Sequence, residues 1–460
     1  MNLKTRRIIY ISFFIIFFLL SALIVLYTAG YYYHFKKDKF QKSGGILLEF
    51  RPKEIDVYIQ GKKRSTTGFF ENSFKAANLL PGEYDISLTK KGYHPWQKKL
   101  TVESEKINFI KNIVLFKANS KPNLIFEGPM EGAVPFPKKE KIFFIEKMDD
   151  LINLKIYDEI SGETVNIAPL KTTSTAAIIP KFSFNEKRLS FNFNKKNYLF
   201  NLGKDELIIL EKKLPQLSAI KTVQWSQTSD DAVYILNDNE IYQLNLRDYA
   251  LDKLISKKSG ENISIRDFSV IGNKVYLIYS GESSSFLEER GKDGKDPILL
   301  RSNISQNFKF IASPRPYITL LDKDSENLMV INVTNREIIF QDSANEIFWS
   351  NKLSDDNYKI AYNNDFEIYT YDINANEKIL INRHSKIVDK ISWYPDYNHL
   401  TFAYNNSINI TDIDKNNKKS WHTLLNAGQI KNIITSYDGK KIYFEGSIDD
   451  KSGLFEFEIL

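Results

Sequence analysis

Short runs of alternating apolar and polar residues, separated by turn residues, make up most of the chain. The clearest copy runs from Ile391 to Asp414: an apolar start, a Pro-Asp turn, an alternating strand, an Asn-Asn turn and a second alternating strand. Alternation with period two predicts β-strands, so this stretch is a β-hairpin unit. Copies of the same arrangement begin at Val223, Ile347 and Ile434.

These units recur along the second part of the chain with a period of roughly 38 to 47 residues, which is typical of β-propeller blades. Their starting points lie near Val134, Pro180, Val223, Ile265, Phe308, Ile347, Ile391 and Ile433. We predict seven or eight blades, because the first copy is degenerate. The run from Leu124 to Glu127 is a candidate strand that closes the ring on the last blade.

One uncharged stretch, Ile8 to Tyr33, interrupts this pattern at the N-terminus. Roughly 26 residues of helix are long enough to span a hydrocarbon core of about 30 Å. A cleaved signal peptide is the alternative, but its apolar region is about 7 to 15 residues long, and Tyr27-Thr28-Ala29 is a poor cleavage site. We therefore predict an uncleaved transmembrane anchor over 8–33, after a short basic tail over 1–7.

Between this anchor and the repeats, residues 44–117 contain short strands rich in β-branched and aromatic residues, with turn signals between them. The pattern predicts a small β-sandwich. This segment resembles the PEGA domain family, which implies a module of bacterial and archaeal surface and membrane-anchored proteins. The matching residues are Gly45-Ile46-Leu47, Pro52, Val57-Tyr58-Ile59, Gly61-Lys62, Leu80-Pro81-Gly82, Tyr84 and Lys91-Gly92-Tyr93.

The repeats themselves resemble the WD40-like repeat of TolB-type propellers, in which Trp-Ser-Pro-Asp-Gly-Lys precedes an apolar strand. The resemblance implies a non-enzymatic interaction platform, or a substrate-filtering domain where a hydrolase is attached. This sequence contains no hydrolase segment. The matching segments are Trp225-Ser226, Trp349-Ser350, Trp393-Tyr394-Pro395-Asp396 and Ser436-Tyr437-Asp438-Gly439-Lys440-Lys441.

Composition excludes several classes of function. The 63 basic residues nearly balance the 57 acidic ones, giving a net charge of +6, so nucleic acid is not the expected partner. The absence of Cys excludes disulfides, thiol catalysis and Cys-ligated metals. The five His residues never have the spacing of metal ligands. We therefore predict no cofactor and no metal site.

Acidic residues in the repeats have two interpretations. The pairs Asp230-Asp231 and Asp355-Asp356 have the composition of a catalytic dyad, but they fall where the repeat places a turn, and Asp favours turns. Two runs place oxygen ligands in alternation, as a calcium loop does, but both lack the loop Gly and the closing Glu. These runs are Asp322, Asp324 and Glu326, and Asp412, Asp414 and Asn416.

Two segments supply candidate binding residues. Tyr93, His94 and Trp96 form an aromatic cluster suited to stacking on a sugar, or else they pack at a strand end. The polar segment Ser280 to Pro297 is longer than a blade turn needs, and we predict a rim loop that either binds a partner or is simply solvated. Its candidate binding residues are Ser284, Phe286 and Arg290.

Together these features predict a non-enzymatic, membrane-anchored envelope protein whose propeller binds protein or envelope polymer. The alternatives are a structural component that binds wall polysaccharide, a propeller enzyme, or a cytoplasm-facing scaffold. Basic residues flank the span on both sides, and the two resemblances favour globular domains outside the cell with the N-terminus in the cytoplasm. The predicted divisions are 1–7, 8–33, a basic linker over 34–43, the sandwich over 44–117, a linker over 118–122 and the propeller over 123–460.

Overall fold

The computed structural model describes residues 3–34, 38–171, 178–217, 219–256, 263–281, 285–353, 355–413 and 421–460. It divides into two compact units. The first comprises 1–120 together with Ile459–Leu460, and the second comprises 121–458. The predicted all-β architecture with one N-terminal apolar helix is confirmed.

The N-terminal helix occupies Leu3–Thr28, so it begins before and ends before the predicted span of 8–33. It ends because Gly30 adopts a left-handed conformation (φ +84°) and donates its N–H to the carbonyl of Tyr27 (3.0 Å). A two-stranded hairpin follows, formed by Tyr31–His34 and Lys39–Lys42, where the sequence predicted the end of the helix and a linker. The helix is long and apolar enough to cross a membrane, which is equally true of a signal sequence.

Two sheets form the predicted β-sandwich in the first unit. One has three strands, in the spatial order Ser73–Leu79, Gly44–Arg51 and Ile107–Val114. The other has four, in the order Lys62–Thr66, Asp56–Ile59, Gly82–Thr89 and Trp96–Val102. Their inner faces pack together through apolar side chains such as Ile46, Leu48 and Leu88, all at most 1% exposed.

The described part of the second unit contains eight four-stranded antiparallel sheets, which we number as blades 1 to 8 from the innermost strand outward. Blade 1 comprises Met130–Pro135, Lys141–Met148, Leu151–Asp158 and Thr164–Lys171, and blade 2 comprises Lys181–Phe182, Arg188–Phe193, Lys196–Asn201 and Glu206–Ile209. Blade 3 comprises Ile220–Trp225, Ala232–Asn237, Glu240–Asn245 and Leu251–Ile255, and blade 4 comprises Ser264–Ile271, Lys274–Ser280, Ser285–Gly291 and Ile298–Ser302. Blade 5 comprises Lys309–Ile311, Tyr317–Asp322, Asn327–Asn332 and Glu337–Ser343, and blade 6 comprises Glu346–Trp349, Lys359–Asn363, Glu367–Asp372 and Glu377–Arg383. Blade 7 comprises Val388–Trp393, His399–Tyr404, Ser407–Asp412 and Trp421–Asn426, and blade 8 comprises Gln429–Thr435, Lys441–Ile448, Lys451–Glu458 and Asn123–Glu127. A four-residue helix, Leu210–Lys213, connects blades 2 and 3.

The ring closes through the strand predicted for that role. Asn123–Glu127, the first strand of this unit in the chain, pairs antiparallel with Lys451–Glu458 and becomes the outermost strand of blade 8. Blade 8 therefore combines the two ends of the unit, and the hydrogen bonds between its strands hold the ring closed. Because the degenerate first copy is a complete blade, the described sheets number eight.

The recurring Trp residues join neighbouring blades. Trp225 donates its indole N–H to the carbonyl of Lys181 in the preceding blade (2.9 Å), and Trp393 donates to the carbonyl of Phe348 (3.0 Å). Trp349 donates to the hydroxyl of Thr319 (3.1 Å). The Trp residues of blades 3, 6 and 7 thus serve packing between neighbouring blades.

The predicted rim loop over Ser280–Pro297 is not a loop. Its centre is the third strand of blade 4, Ser285–Gly291, which is paired on both sides. The charged residues that made this strand look like a loop form ion pairs. Arg290 contacts Glu288, and Glu289 contacts Lys274 (3.4 Å) and Arg336 (3.2 Å). Sequence alternation fails here because ion pairs, rather than apolar contacts, accommodate the buried positions.

Candidate functional site

The acidic pair Asp230-Asp231 connects two blades. The carboxylate of Asp230 accepts hydrogen bonds from the hydroxyl of Ser183 (2.6 Å), and from the backbone and side-chain amides of Asn185 (2.7 and 3.0 Å). Asp231 forms ion pairs with Arg188 of blade 2 and Arg247 of blade 3. Asp230 and Asp231 lie at the predicted turn, but their carboxylates bond to the neighbouring blade and to Arg247 rather than to the backbone of their own turn.

The other acidic motifs also have local partners. Asp356 pairs with Lys352 (2.9 Å), and Asp355 accepts the backbone N–H of Asn357 (3.3 Å). Asp322 accepts the backbone N–H groups of Asp324 and Ser325 (3.0 and 3.3 Å), which is an Asx turn. Among the described residues no group of three or more His, Cys, Asp or Glu side chains is arranged to hold a metal ion; Asp414 and Asn416 lie outside them.

The aromatic cluster of the first unit lies at the edge of the sandwich core. Trp96 begins a strand and is only 9% exposed within the core, and Tyr93 packs against the same core half-buried. The backbone N–H of His94 donates to the carbonyl of Phe116 (2.8 Å). The structure thus places Trp96 inside the sandwich and leaves mainly the edges of Tyr93 and His94 accessible.

The candidate residues of blade 4 are separated. Ser284 lies outside the described residues. Phe286 is half-buried and stacks on Tyr279, with ring centroids 5.0 Å apart. Arg290 is 9% exposed and ion-paired with Glu288. Neither Phe286 nor Arg290 is presented as a free side chain on the rim.

A feature missed by the sequence interpretation lies on the innermost strands, which border the central channel. In four blades the pairing of the innermost strand with the second strand skips one residue, forming a β-bulge. A bulge redirects the side chain of its extra residue. The extra residues are all charged and exposed: Lys221, Arg266, Asp389 and Lys431.

Two further lysines reach the channel from blades 2 and 5. Lys181 and Lys309 lie on innermost strands and are exposed. The protein around Lys181 lowers the pKa of this side chain, mainly by displacing water from its ammonium group; Asp267 of blade 4 opposes the effect and Lys309 adds to it. Phe310, next to Lys309, donates its backbone N–H to Asp267 (2.9 Å), so the innermost strands of blades 4 and 5 lie side by side.

One cavity of about 610 Å³ opens where the innermost strands of blades 1, 7 and 8 begin, and we name it the basic pocket. Its lining residues are Met130, Glu131, Gly132, Lys147, Lys390, Lys431, Asn432 and Glu445. Glu445, 4% exposed, accepts the N–H of Gly132 (3.1 Å) and pairs with Lys431 (3.5 Å). Lys147 pairs with Glu131 (3.6 Å), and Lys390 pairs with Glu346 of blade 6.

A second cavity, of about 550 Å³, lies at blades 5 and 6, and we name it the acidic pocket. It is lined by Glu326, Asn364, Asp365, Phe366, Glu367, Arg383 and His384. Hydrogen bonds from Tyr369 and Asn364, together with the Arg383 ion pair, lower the pKa of Glu367 to about 2. Glu326 and Asp365 have no basic partner among the described residues, so this pocket carries unbalanced negative charge.

The two pockets open on the same face of the propeller. Antiparallel pairing places the start of each innermost strand beside the turn between the second and third strands, as in Met130 with Glu146 and Glu346 with Asn363. The basic pocket uses strand starts, and the acidic pocket uses the turn of blade 6. We name this side of the propeller, where the innermost strands begin, the entry face.

The closed ring of four-stranded sheets makes the second unit a β-propeller, in a chain that begins with a helix capable of crossing a membrane. No protein-family model matches the chain, and no curated protein matches it. The PEGA and TolB-type resemblances accordingly stay predictions.

Several solved structures resemble the chain. Sqt1 of Saccharomyces cerevisiae is 14% identical and aligns over 75% of this chain and 99% of its own, with a TM-score of 0.48. The dihydro-heme d1 dehydrogenase NirN is 12% identical over 73% of this chain and 78% of its own, with a TM-score of 0.47. An oligogalacturonate lyase of Vibrio parahaemolyticus is 8% identical over 72% and 98%, with a TM-score of 0.41. Similarity at this level says nothing about what the present chain binds.

Proposed function

We propose that this chain is a non-enzymatic, membrane-anchored protein of the cell envelope whose propeller binds a protein or an envelope polymer. The observation that carries the proposal is the entry face, where two open pockets of opposite charge lie on one side of a closed ring. Open, charged pockets on a rigid ring suit the recognition of an extended polar partner.

The buried polar groups of the propeller support a binding role in a second way. The carboxylates with the chemistry of a catalytic dyad, Asp230 and Asp231, are already saturated by contacts between blades. A general base must be able to reach a substrate proton within hydrogen-bond distance, and these side chains hold the ring together instead. The alternative of a propeller enzyme would need a different set of residues.

The proposal predicts that the full-length protein in detergent micelles retains envelope material on an affinity resin. Solubilised envelope proteins and purified wall polymer should be offered separately, so that the retained fraction identifies the class of partner. A Glu326→Gln, Asp365→Asn double variant removes the unbalanced charge of the acidic pocket and should retain less material than the wild type. We expect a severalfold loss, since charge complementarity contributes to specific association.

The material recovered from this resin should be chemically unchanged by mass spectrometry. Retention of neither fraction would contradict the binding role. Retained material that the protein converts to a product would favour the propeller enzyme instead.

The proposal also predicts that the propeller lies outside the cytoplasm. Since the chain has no Cys, a Ser161→Cys substitution on the exposed turn after Asp158 supplies a single thiol. A membrane-impermeant maleimide should label this thiol in intact cells as fully as in lysed cells. Labelling that requires lysis would place the propeller in the cytoplasm and support the cytoplasm-facing scaffold.

A further inference from the structure

The charged side chains that are exposed on the innermost strands, around the mouth of the channel on the entry face, are mainly basic. Six of the eight innermost strands carry a basic residue, and three of the four one-residue bulges present one to solvent. The exception among the bulges is Asp389. The basic residues of the innermost strands are Lys181, Lys221, Arg266, Lys309, Lys390 and Lys431.

Two carboxylates of the same region, Asp267 and Glu445, are buried. Asp267 is 9% exposed and accepts the backbone N–H groups of Phe268 and Phe310 (both 2.9 Å). In the pair that lines the basic pocket, the Glu445 side chain is 5% exposed whereas that of Lys431 is 51% exposed. Asp389 is exposed, and Glu131 and Glu346 are half-buried beside Lys147 and Lys390, so six basic residues outnumber four acidic ones on the innermost strands.

We propose that the mouth of the channel binds a multivalent oxyanion, a phosphate- or carboxylate-bearing group held by ammonium and guanidinium groups from several blades. The proposal deepens the proposed function by naming the chemistry that the entry face recognises. Lys147, Lys390 and Lys431 line one pocket, so an anion with several charged oxygens gains from each of the three blades that it reaches. A concave, partly enclosed site also strengthens the field that its walls create.

The size and shape of the basic pocket suit such a ligand. Its volume of about 610 Å³ exceeds the need of a single phosphate and admits an oligophosphate or a tricarboxylate. Gly132, with φ +86°, forms part of the wall, and a Cβ there would point into nearly open space, so the backbone allows close approach. Lys147, Lys390 and Lys431 border the pocket from blades 1, 7 and 8.

The test is titration calorimetry of the full-length protein in neutral detergent with two probes, tripolyphosphate and citrate. We expect at least one probe to bind, with an affinity that falls as salt is raised. Lys390→Gln and Lys431→Gln should each weaken binding by about three- to tenfold, because each removes one cation that lines the basic pocket. The probe that binds more tightly identifies phosphate or carboxylate as the source of the charge.

Two further variants make the test specific to the channel. Asp389→Asn removes the one acidic bulge residue and should strengthen binding by about threefold, which a general loss of folding would not produce. Lys204→Gln removes an exposed lysine from a turn between the outer strands of blade 2 and should leave the affinity unchanged.

Three results would overturn the inference: binding of neither probe, equal weakening by Lys204→Gln and Lys390→Gln, or no gain from Asp389→Asn. A wild type that retains envelope material but binds neither anion would refute this inference and leave the proposed binding role standing. A wild type that binds an anion tightly but retains no envelope material would refute the proposed binding role and leave this inference standing.

Discussion

A Gly453→Val substitution is expected to destabilise the whole propeller by about 3 kcal/mol or more, because it blocks the strand pairing that closes the ring. Gly453 pairs with Glu127 and has φ +157°, a conformation that side chains with a Cβ rarely adopt. A Cβ at this position would lie 1.9 Å from the carbonyl oxygen of Phe126. Since that oxygen belongs to the backbone, the closing strand Asn123–Glu127 would have to move away.

The measurement is urea unfolding of the full-length protein, followed by near-ultraviolet circular dichroism. Deletion of Ile433 to Leu460 should have a larger effect and abolish cooperative unfolding of the propeller. The closing strand Asn123–Glu127 then loses its partner strand Lys451–Glu458. Gly203→Ala is the matched control, since Gly203 has an ordinary φ and only the side chain of Asn201 within 4 Å of a new Cβ (3.7 Å). A Gly453→Val protein that unfolds at the wild-type midpoint would contradict ring closure by this strand.

An Asp230→Ala substitution is expected to destabilise the protein by about 2 to 3 kcal/mol near neutral pH, because it removes a charged acceptor and leaves buried donors unpaired. Asp230 is 9% exposed and accepts three hydrogen bonds from Ser183 and Asn185 of the neighbouring blade. Asp150→Ala, in an exposed turn, is the control and should change the free energy of unfolding little.

The pH dependence of this effect has a definite sign. Burial raises the pKa of Asp230, but hydrogen bonds from Ser183 and Asn185 outweigh it and hold the pKa below its ordinary value. A depressed folded-state pKa stabilises the fold above the unfolded-state pKa of about 3.9, and this stabilisation is lost as the pH falls through the folded-state pKa.

The gap in unfolding free energy between the wild type and Asp230→Ala should therefore shrink on acidification below about pH 4. Urea titrations at a series of pH values measure it. A gap that widened as the pH fell would mean that the carboxyl group acts in its protonated form.

The architecture of this protein could be predicted from sequence because the apolar pattern repeats. Period-two alternation and turn residues at a spacing of roughly forty residues specify one four-stranded sheet after another. The closing strand was recognisable as an apolar run, Leu124 to Glu127, that precedes the first unit, and it lies in blade 8 as predicted.

Local pattern failed where the environment of a residue depends on distant parts of the chain. Ser285–Gly291 looked like a solvated loop because Glu288, Glu289 and Arg290 are charged, and only the folded blade supplies the partners that let them be buried. The N-terminal helix was predicted to extend to Tyr33, although Gly30 ends it and the tyrosines after it form a strand.

The sequence by itself determined the repeating sheets, the apolar N-terminal helix and the β-sandwich, because hydrophobic periodicity is a local property that secondary structure expresses directly. Only the tertiary structure determined which charged side chains of the innermost strands are exposed. Lys221, Arg266, Asp389 and Lys431 are far apart in the chain and share no motif, and each is exposed by a bulge whose register depends on pairing with the next strand. The proposed anion site takes residues from several blades, so it can form only once the ring has closed.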